Sequence, residues 1–340
     1  MKAIYITRYG NSYKAFEIRD IPIPSPGPHE VCIKVVSSGL NFADVVARRG
    51  LYDDAPPNPA IIGYDVAGYV HAIGSDVVEF SVGQKVVALT RFGGYAEYAV
   101  SQVEGVAVLP DDYDFHQATA LATQAGTAYF CAEECVSLHE GDKVLIQAAA
   151  GGVGSMLVQI AKHRRCHVYG TASSKKQDFL KQNGVDTPID YTKHSFKDII
   201  KKEQPNGIDV VFDSIGGKSF SHGMKVLGPG GRMVSYGAAS QINGNKTNKL
   251  KAAGVVFGFG IFSPIALLLQ SKAIITVNML RIADHKPNVL QHVMKETVQL
   301  AQQGVIQPIV SKTFNAQDVA QAHDYLESRQ SIGKVTLSWE

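Results

Sequence analysis

A run of small residues at positions 148–154 has the composition and spacing of a turn that binds the phosphates of a dinucleotide. The run reads AAAGGVG, follows the apolar residues 144–146 closely, and precedes apolar residues at helical spacing that begin at Met156. Between a buried strand and a helix, small residues let the backbone approach a pyrophosphate, and the helix N-terminus faces the anion. Because the pattern is A-x-x-G-x-x-G and not G-x-G-x-x-G, a tight turn in another kind of α/β protein is the alternative. The predicted cofactor contacts in this turn are Ala150, Gly151, Gly152, Val153 and Gly154.

The segment 170–176, which follows the next predicted strand, distinguishes between two dinucleotides. In NAD enzymes an acidic residue lies ~20 residues after the glycine turn and binds the ribose 2′-hydroxyl. This segment reads GTASSKK and contains no carboxylate. Hydroxyl and ammonium groups suit a 2′-phosphate, so the sequence predicts NADPH. A solvated lysine pair at a helix start would explain the lysines but not the missing acid. The predicted contacts are Thr171, Ser173, Ser174, Lys175 and Lys176.

Two kinds of domain are needed to position these residues. From Phe115 onward, strands alternate with helical segments, and six strands are what a doubly wound parallel sheet requires. The six strands are predicted at residues 144–146, 167–169, 189–191, 209–213, 232–236 and 274–279. Short strands with proline-rich connections fill the first hundred residues, which favours a β-barrel-like domain, and the C-terminal residues are expected to return to it. The sequence therefore predicts an α/β protein with domains at 1–124 plus 281–340 and at 125–280.

Composition excludes several classes of protein. The chain has 340 residues, 45% hydrophobic and 19% charged, which is typical of a globular protein of two domains. A net charge of +2 without a dense basic cluster argues against nucleic acid as a partner. The N-terminus lacks the apolar core of a signal peptide, so a cytoplasmic location is expected. The four cysteines form no C-x-x-C pair and predict reduced thiols; they are Cys32, Cys131, Cys135 and Cys166.

Several motifs, in this order along the chain, resemble those of the medium-chain dehydrogenase/reductase superfamily. They are GLNFAD at 39–44, GLY at 50–52, GYDVAG at 63–68, TAY at 127–129, the turn at 148–154, DY at 190–191 and GKV at 333–335. Within this superfamily the chain is similar to the zinc-free quinone oxidoreductase branch, and most of all to vesicle-amine-transport-protein-like reductases. The resemblance implies a GroES-like β-barrel domain plus a Rossmann domain with the active site in the cleft between them. It also implies a homodimer, formed by pairing Rossmann sheets through residues 274–279.

The resemblance also bears on zinc. Zinc-dependent members hold the metal with cysteine and histidine at places that resemble Asn41, Tyr64 and Thr123 here. These side chains offer neither thiolate nor imidazole, and Ala43 stands where alcohol dehydrogenases carry a proton-relay hydroxyl. We therefore expect no metal. The expected reaction is hydride donation from NADPH to a small acceptor activated by conjugation, either a quinone or an α,β-unsaturated carbonyl.

Three residues have catalytic roles by resemblance. Asn41 is expected to face the nicotinamide and the substrate carbonyl, and Tyr52 to contact the substrate oxygen, although a tyrosine among prolines is often plain packing. Asp44 is expected to orient neighbouring polar groups; a carboxylate that initiates a helix is the alternative. The further cofactor contacts that the resemblance implies are Thr127, Tyr191, Tyr236 and Gly237.

The uncharged segment 252–269 is almost long enough to span a bilayer. Its glycines, the Ser263–Pro264 pair and its place between two strands of one sheet argue against a span. We expect an apolar lid beside the nicotinamide, whose exposed face could contact a second subunit or a membrane surface. Two other functions stay open: a membrane-associated or lipid-transfer protein that retains a nucleotide-binding fold, and an enoyl-thioester reductase.

Overall fold

The computed structural model describes residues 1–239, 259–260 and 262–340. They form two compact units, the first made of residues 1–126 and 280–340 and the second of residues 127–279. The domain boundaries expected from the sequence, 1–124 with 281–340 and 125–280, stay a prediction.

The second unit is built on a sheet of six strands that are all parallel to their neighbours. In spatial order the strands are Thr187–Asp190, His167–Ala172, Lys143–Ile146, Ile208–Asp213, Leu227–Ser235 and Ala273–Thr276. This is the order of a doubly wound dinucleotide-binding sheet, so the prediction of six strands in such a sheet is confirmed. The sixth strand, expected over 274–279, ends at Thr276, and Met279 begins a helix. The third strand along the chain was expected to reach Tyr191. It ends at Asp190 because the N–H groups of Lys193 and His194 turn back to the Asp190 carbonyl.

Helices cover the strands of the second unit. The helical segments are Gly126–Tyr129, Phe130–Cys135, Gly152–His163, Ser174–Lys176, Gln177–Gln182, Phe196–Glu203, Lys218–Met224 and Pro264–Gln270. Helix Gly152–His163 buries Met156, Leu157 and Ile160, as its apolar spacing predicts. Its partner strand Lys143–Ile146 is fully buried from Val144 to Ile146, because parallel strands are covered on both faces.

The first unit contains two β-sheets. The larger has, in spatial order, strands Val310–Asn315, Lys334–Ser338, Glu30–Leu40, Asp65–Ile73, Lys85–Leu89 and Val106–Val108, with Tyr98–Gln102 also paired to Glu30–Leu40. The smaller consists of Phe16–Asp20, Lys2–Ile6 and Ala60–Ile61. A strand expected to start at Tyr95 begins at Tyr98, because the Tyr95 carbonyl instead accepts a hydrogen bond from Ile4 N at 2.9 Å.

The first unit also contains helical segments. They are Ser12–Ala15, Phe42–Arg48, Val103–Gly105, Phe115–Ala120, Leu121–Ala125, Met279–His285, Pro287–Gln302, Ala316–Asp318 and Val319–Glu327. Helix Pro287–Gln302 buries Val293 and Met294 and ends before Gly304, whose φ of +73° favours glycine.

The apolar segment 252–269 falls partly outside the described residues, at 252–258 and 261. Its described part includes helix Pro264–Gln270, in which no residue is buried. Across the described ranges, none of the helices combines the length and the apolar composition that a membrane crossing needs. The role of this segment as a lid stays a prediction.

Candidate active site

The turn at residues 148–154 lies at the carboxyl end of a central strand of the second unit. Ala148 adopts a left-handed conformation with a φ of +51°, and its carbonyl accepts a hydrogen bond from Gly151 N at 2.8 Å. A Cβ at Gly154 would lie 2.3 Å from the Ala148 carbonyl oxygen, so only glycine fits there. The helix that follows begins at Gly152 and has no acidic residue in its first turn. Its first N–H groups therefore suit an anion, and the turn fits the pyrophosphate of a dinucleotide.

Thr171 supports this turn from the neighbouring strand. Its hydroxyl donates to Gln147 Oε1 at 2.7 Å and accepts from Ala148 N at 3.2 Å. Thr171 is only 2% exposed. These contacts fix the backbone that leads into the turn, while the expected contact of Thr171 with a cofactor stays a prediction.

The segment 173–176 presents hydroxyl and ammonium groups, as the sequence indicates. Lys175 is exposed, and Lys176 is half-buried, which lowers the pKa of its ammonium group. An acid nevertheless lies beside this segment, because the Ser174 hydroxyl donates to the Asp190 carboxylate. The segment itself contains no carboxylate, and the neighbouring acid is an additional feature that its sequence does not show. Asp190 comes from the third strand along the chain, which the count of ~20 residues from the glycine turn does not reach.

Asp190 is already satisfied by neighbours within the chain. Hydrogen bonds from the hydroxyls of Ser174 and Thr192 lower the pKa of its carboxyl to about 2, so it is ionised. Thr192 donates through its hydroxyl at 2.6 Å and through its backbone N–H at 3.0 Å. Lys193 Nζ lies 3.6 Å from the same carboxylate, and the adjacent Tyr191 is exposed.

The predicted cofactor contacts Tyr236 and Gly237 lie at the same edge of the sheet. The Tyr236 N–H donates to the Asp213 carbonyl at 3.0 Å, which places Tyr236 and Gly237 just after the fifth strand. The buried Asp213 carboxylate accepts hydrogen bonds from Gly216 N and Ser219 Oγ at 2.9 Å each. Ligands of open α/β sheets bind at the carboxyl ends of the strands, where these residues lie. Thr127 is buried near the start of the second unit.

In the first unit, a closed ring of polar contacts forms around Asn41. Asn41 is the N-cap of helix Phe42–Arg48 and is 8% exposed. Its Nδ2 donates to the Asp65 carboxylate, and its Oδ1 accepts from Lys334 Nζ at 3.0 Å. Lys334 and Asp65 are also an ion pair, and neither side chain is exposed to solvent. The ring therefore joins residues from three distant parts of the sequence.

Strand pairing brings the members of the ring together. Gly39 faces Asp65 across two neighbouring strands, and it faces Thr336 on the other side. A Cβ at Gly39 would lie 2.2 Å from Asp65 Oδ2 and 2.3 Å from Lys334 Cε, so the glycine makes room for the ion pair. The sequence reasoning missed Asp65 and Lys334 as functional candidates, although both lie in motifs that carry the family resemblance. The available signal was a charged residue within an apolar strand, since such residues are fully buried only when paired.

Asp44 lies beside the ring and initiates a helix, which is the alternative that the sequence offered. Its Oδ2 accepts a hydrogen bond from Asn41 N at 2.7 Å. Burial raises the pKa of the Asp44 carboxyl to about 8, and the nearby Asp65 charge contributes. Asp44 is therefore mostly protonated at neutral pH. The Tyr95 hydroxyl, which is 3.2 Å from His323 Nε2, also lies near this carboxyl.

Two tyrosines lie near Asp44. The aromatic side chains of Tyr52 and Tyr64 meet edge to face, with their centroids 6.3 Å apart. Tyr64 is 5% exposed, and its hydroxyl has no hydrogen-bond partner within the described part of the chain. Burial raises the pKa of both phenols, so both stay protonated at neutral pH. Among the described residues, no group of three or more His, Cys, Asp or Glu side chains could hold a metal ion.

Comparison with known families confirms the predicted fold class. Residues 27–111 match the family model of the alcohol dehydrogenase GroES-like domain. Residues 183–337 match the model of zinc-binding dehydrogenases. These matches and the parallel six-stranded sheet agree with the expected pair of a GroES-like β-barrel and a Rossmann domain.

Similar proteins extend over nearly the whole chain. The synaptic vesicle membrane protein VAT-1 homolog of Rattus norvegicus is 34% identical over 341 residues, which cover 99% of this chain and 84% of the relative. Prostaglandin reductase-3 of Mus musculus is 36% identical over 244 residues, covering 71% of this chain and 64% of that protein. Among solved structures, Escherichia coli quinone oxidoreductase in complex with NADPH has a TM-score of 0.86 and 25% identity. That match covers 99% of this chain and 100% of the other.

Proposed function

Because this chain belongs to the medium-chain dehydrogenase/reductase superfamily, we propose that it is a zinc-independent, NADPH-dependent reductase of quinones or α,β-unsaturated carbonyls. The observation that carries the proposal is the hydrogen bond between the amide oxygen of Asn41 and the ammonium group of Lys334. Asn41 lies at a place that resembles a zinc ligand of other members. A divalent cation there would stand next to a buried positive charge, which is unfavourable. Asn41 therefore suits hydrogen bonding to a ligand and not coordination of zinc.

The second unit fits the cofactor. The turn at 148–154 offers a cradle that a side chain at Gly154 would fill, together with the first N–H groups of a helix, which have no acceptor within the helix itself. Ser173, Lys175 and Lys176 supply the hydroxyl and ammonium groups that suit a 2′-phosphate. The acid at Asp190 is bonded to Ser174 and Thr192 and therefore competes little for a ribose hydroxyl. The NADPH complex of the Escherichia coli relative supports the same choice.

In this mechanism NADPH, when bound, supplies the hydride. Asn41 donates a hydrogen bond to a carbonyl oxygen, where negative charge develops as an enone or quinone is reduced. Tyr52 holds its phenolic proton at neutral pH, because burial raises its pKa, and it can pass that proton to the reduced oxygen. The mouse relative named prostaglandin reductase-3 and the Escherichia coli quinone oxidoreductase support a conjugated acceptor.

We further propose a cytoplasmic homodimer. Strand Ala273–Thr276 stands at the end of the parallel sheet and, within the described residues, has a strand neighbour on one side alone. Such edges pair with another chain or are covered. The measurement is the molar mass in solution, for which we expect twice the mass of one chain.

A membrane-associated function is the second candidate. The face of helix Pro264–Gln270 exposes Ile265, Leu268 and Leu269 at 69%, 78% and 81%. Exposed apolar surface of this kind is found where proteins contact one another or a bilayer. If the purified protein sediments with liposomes and reduces no acceptor, this candidate replaces the reductase.

The experiment that tests the proposal is stopped-flow oxidation of NADPH and NADH against quinones, enones and enoyl thioesters, after treatment with a chelator. We expect oxidation of NADPH by quinones or enones, with weaker use of NADH. Preference for enoyl thioesters would assign the chain to the enoyl-thioester reductases instead. Stoichiometric zinc together with loss of turnover on chelation would refute the proposal.

A further inference from the structure

The ring around Asn41 leaves its amide a single favourable orientation. The amide oxygen accepts from the Lys334 ammonium, and one amide N–H donates to the Asp65 carboxylate. Rotating the amide by 180° would place its NH₂ group against the ammonium and its oxygen against the carboxylate. Both contacts would then be repulsive, because an ammonium only donates and a carboxylate only accepts. The geometry points to Asp65 and Lys334 as positioning residues that hold Asn41 as a hydrogen-bond donor of fixed direction.

This orientation determines which ligand atoms Asn41 can recognise. An amide has two N–H donors, and one is already used by Asp65. Within residues 1–239, 259–260 and 262–340, Asp65 is the acceptor recorded for this NH₂ group, so the second N–H is the donor left for a ligand and suits an acceptor such as a carbonyl oxygen. An alcohol or amine that must donate a hydrogen bond meets an amide oxygen that already accepts from the Lys334 ammonium, whose charge makes this oxygen a weaker second acceptor. The inference rests on the proposed function and specifies the acceptor: its reacting group is a carbonyl.

Stability does not account for the ion pair. Asp65 and Lys334 are both fully buried, and a buried pair is often no more stabilising than apolar residues of similar volume. The strands that carry the ring are also joined already, because Gly39 pairs with Asp65 on one side and Thr336 on the other. The pair therefore adds little to strand association. Its distinctive contact is with the amide of Asn41.

The test combines a variant of the pair with a variant of Asn41. Asp65→Leu keeps the branched shape of the side chain, and Lys334→Met keeps its unbranched stem, so the double variant removes both charges together. In the unmodified protein we expect Asn41→Ala to lower kcat roughly tenfold to a hundredfold, the loss of one oriented donor. In the double variant we expect the same change to lower kcat by less than about threefold. An equal loss in both backgrounds overturns the inference.

A second readout does not depend on turnover. Selective ¹⁵N-asparagine labelling resolves the side-chain amides by NMR, and the signal that disappears in Asn41→Ala is that of Asn41. We expect its amide hydrogens to exchange with solvent at least about tenfold more slowly than those of exposed asparagines. Loss of this protection is expected in Asp65→Leu/Lys334→Met and in Asp65→Ala/Lys334→Met, which has a smaller side chain at position 65 and serves if the first double variant does not fold. Unchanged protection in these variants, neither of which offers Asn41 an acceptor at position 65, overturns the inference.

Arg48→Met is the matched control. Arg48 is also a buried cation, 2% exposed, and it pairs with Glu327 and the Gly10 carbonyl, away from Asn41. We expect this variant to lose stability while it keeps both the protected Asn41 amide and the kcat of the unmodified protein. A protected amide in a protein that reduces no acceptor would refute the proposed function alone. Reduction of acceptors by a protein whose Asn41 amide exchanges freely would refute the inference alone.

Discussion

The two candidate functional regions of this protein, the turn at 148–154 and the polar ring around Asn41, use different chemical groups. The phosphate-binding turn at 148–154 is contiguous in sequence, and its chemistry belongs to the backbone: N–H groups, a left-handed Ala148 and the space at Gly154. The Asn41 ring is made of side chains from three distant segments, and two of them carry buried charges. A backbone site should therefore be sensitive to added volume, whereas the side-chain site should be sensitive to removed charge.

The largest effect is expected from breaking the ion pair by one partner alone. Asp65→Leu leaves the Lys334 ammonium buried without its carboxylate, which costs about 3–5 kcal/mol in the free energy of unfolding. The double change Asp65→Leu/Lys334→Met should cost much less, because no unpaired charge remains. Urea unfolding of both variants measures the difference. If the single and the double change lower the free energy of unfolding equally, the unpaired Lys334 charge is not the cause of the loss.

Added volume provides the matching experiment on the backbone site. At Gly154 a methyl group would lie 2.3 Å from a carbonyl oxygen, so Gly154→Ala must displace the turn. We expect NADPH affinity, measured by fluorescence titration, to fall by about a hundredfold, or about 2.7 kcal/mol. Gly126→Ala, outside the turn, is the control, because the nearest atom to its added methyl group would be 3.5 Å away, an ordinary contact. Similar losses in both variants would show that the close approach at Gly154 is not decisive.

Asp44 should make stability depend on pH. Its carboxyl pKa is raised to about 8 in the folded protein from an ordinary value of 3.8. Between these values the unfolded chain releases the proton that the folded chain keeps, so stability falls as pH rises, by up to about 1.4 kcal/mol per pH unit. Asp44→Asn should remove this dependence and become more stable than the unmodified protein toward pH 8. The free energies of unfolding of both proteins can be measured in urea at pH 5, 6 and 7. If they change with pH by the same amount, the raised pKa of Asp44 is contradicted.

A smaller effect is expected at the predicted 2′-phosphate contacts. Changing Lys175 and Lys176 to Glu should weaken NADPH binding by about tenfold, a modest effect because solvent screens these partly exposed groups. NADH binding should stay nearly unchanged, because NADH has no 2′-phosphate. Fluorescence titration with both cofactors measures the selectivity. Lys181→Glu, on the helix that follows, is the control for charge alone. Equal affinity of the unmodified protein for NADPH and NADH would rule out the cofactor assignment.

The turn could be predicted from the sequence better than the Asn41 ring, because the turn is contiguous in the chain and the ring is not. The six parallel strands and the glycine turn were predictable because apolar runs, small residues and helical spacing lie next to one another in the chain. Asp65 and Lys334 were not, because their meeting depends on the register between strands Glu30–Leu40, Asp65–Ile73 and Lys334–Ser338. Asp190 was missed for a similar reason. It reaches Ser174 from a neighbouring strand, and no local pattern states which strands are neighbours.

We propose that this chain transfers a hydride from NADPH to a conjugated carbonyl without zinc. The most direct measurement is a single turnover, after exhaustive chelation, with NADPH that carries deuterium at the transferred position of the nicotinamide. We expect one deuterium on the β-carbon of the reduced enone, detected by mass spectrometry, because that C–D bond does not exchange with water. With quinones, whose hydroquinone O–D exchanges with water, we expect slower oxidation of the deuterated NADPH than of ordinary NADPH. A reduced enone without deuterium, or turnover that requires added zinc, would contradict hydride transfer without zinc.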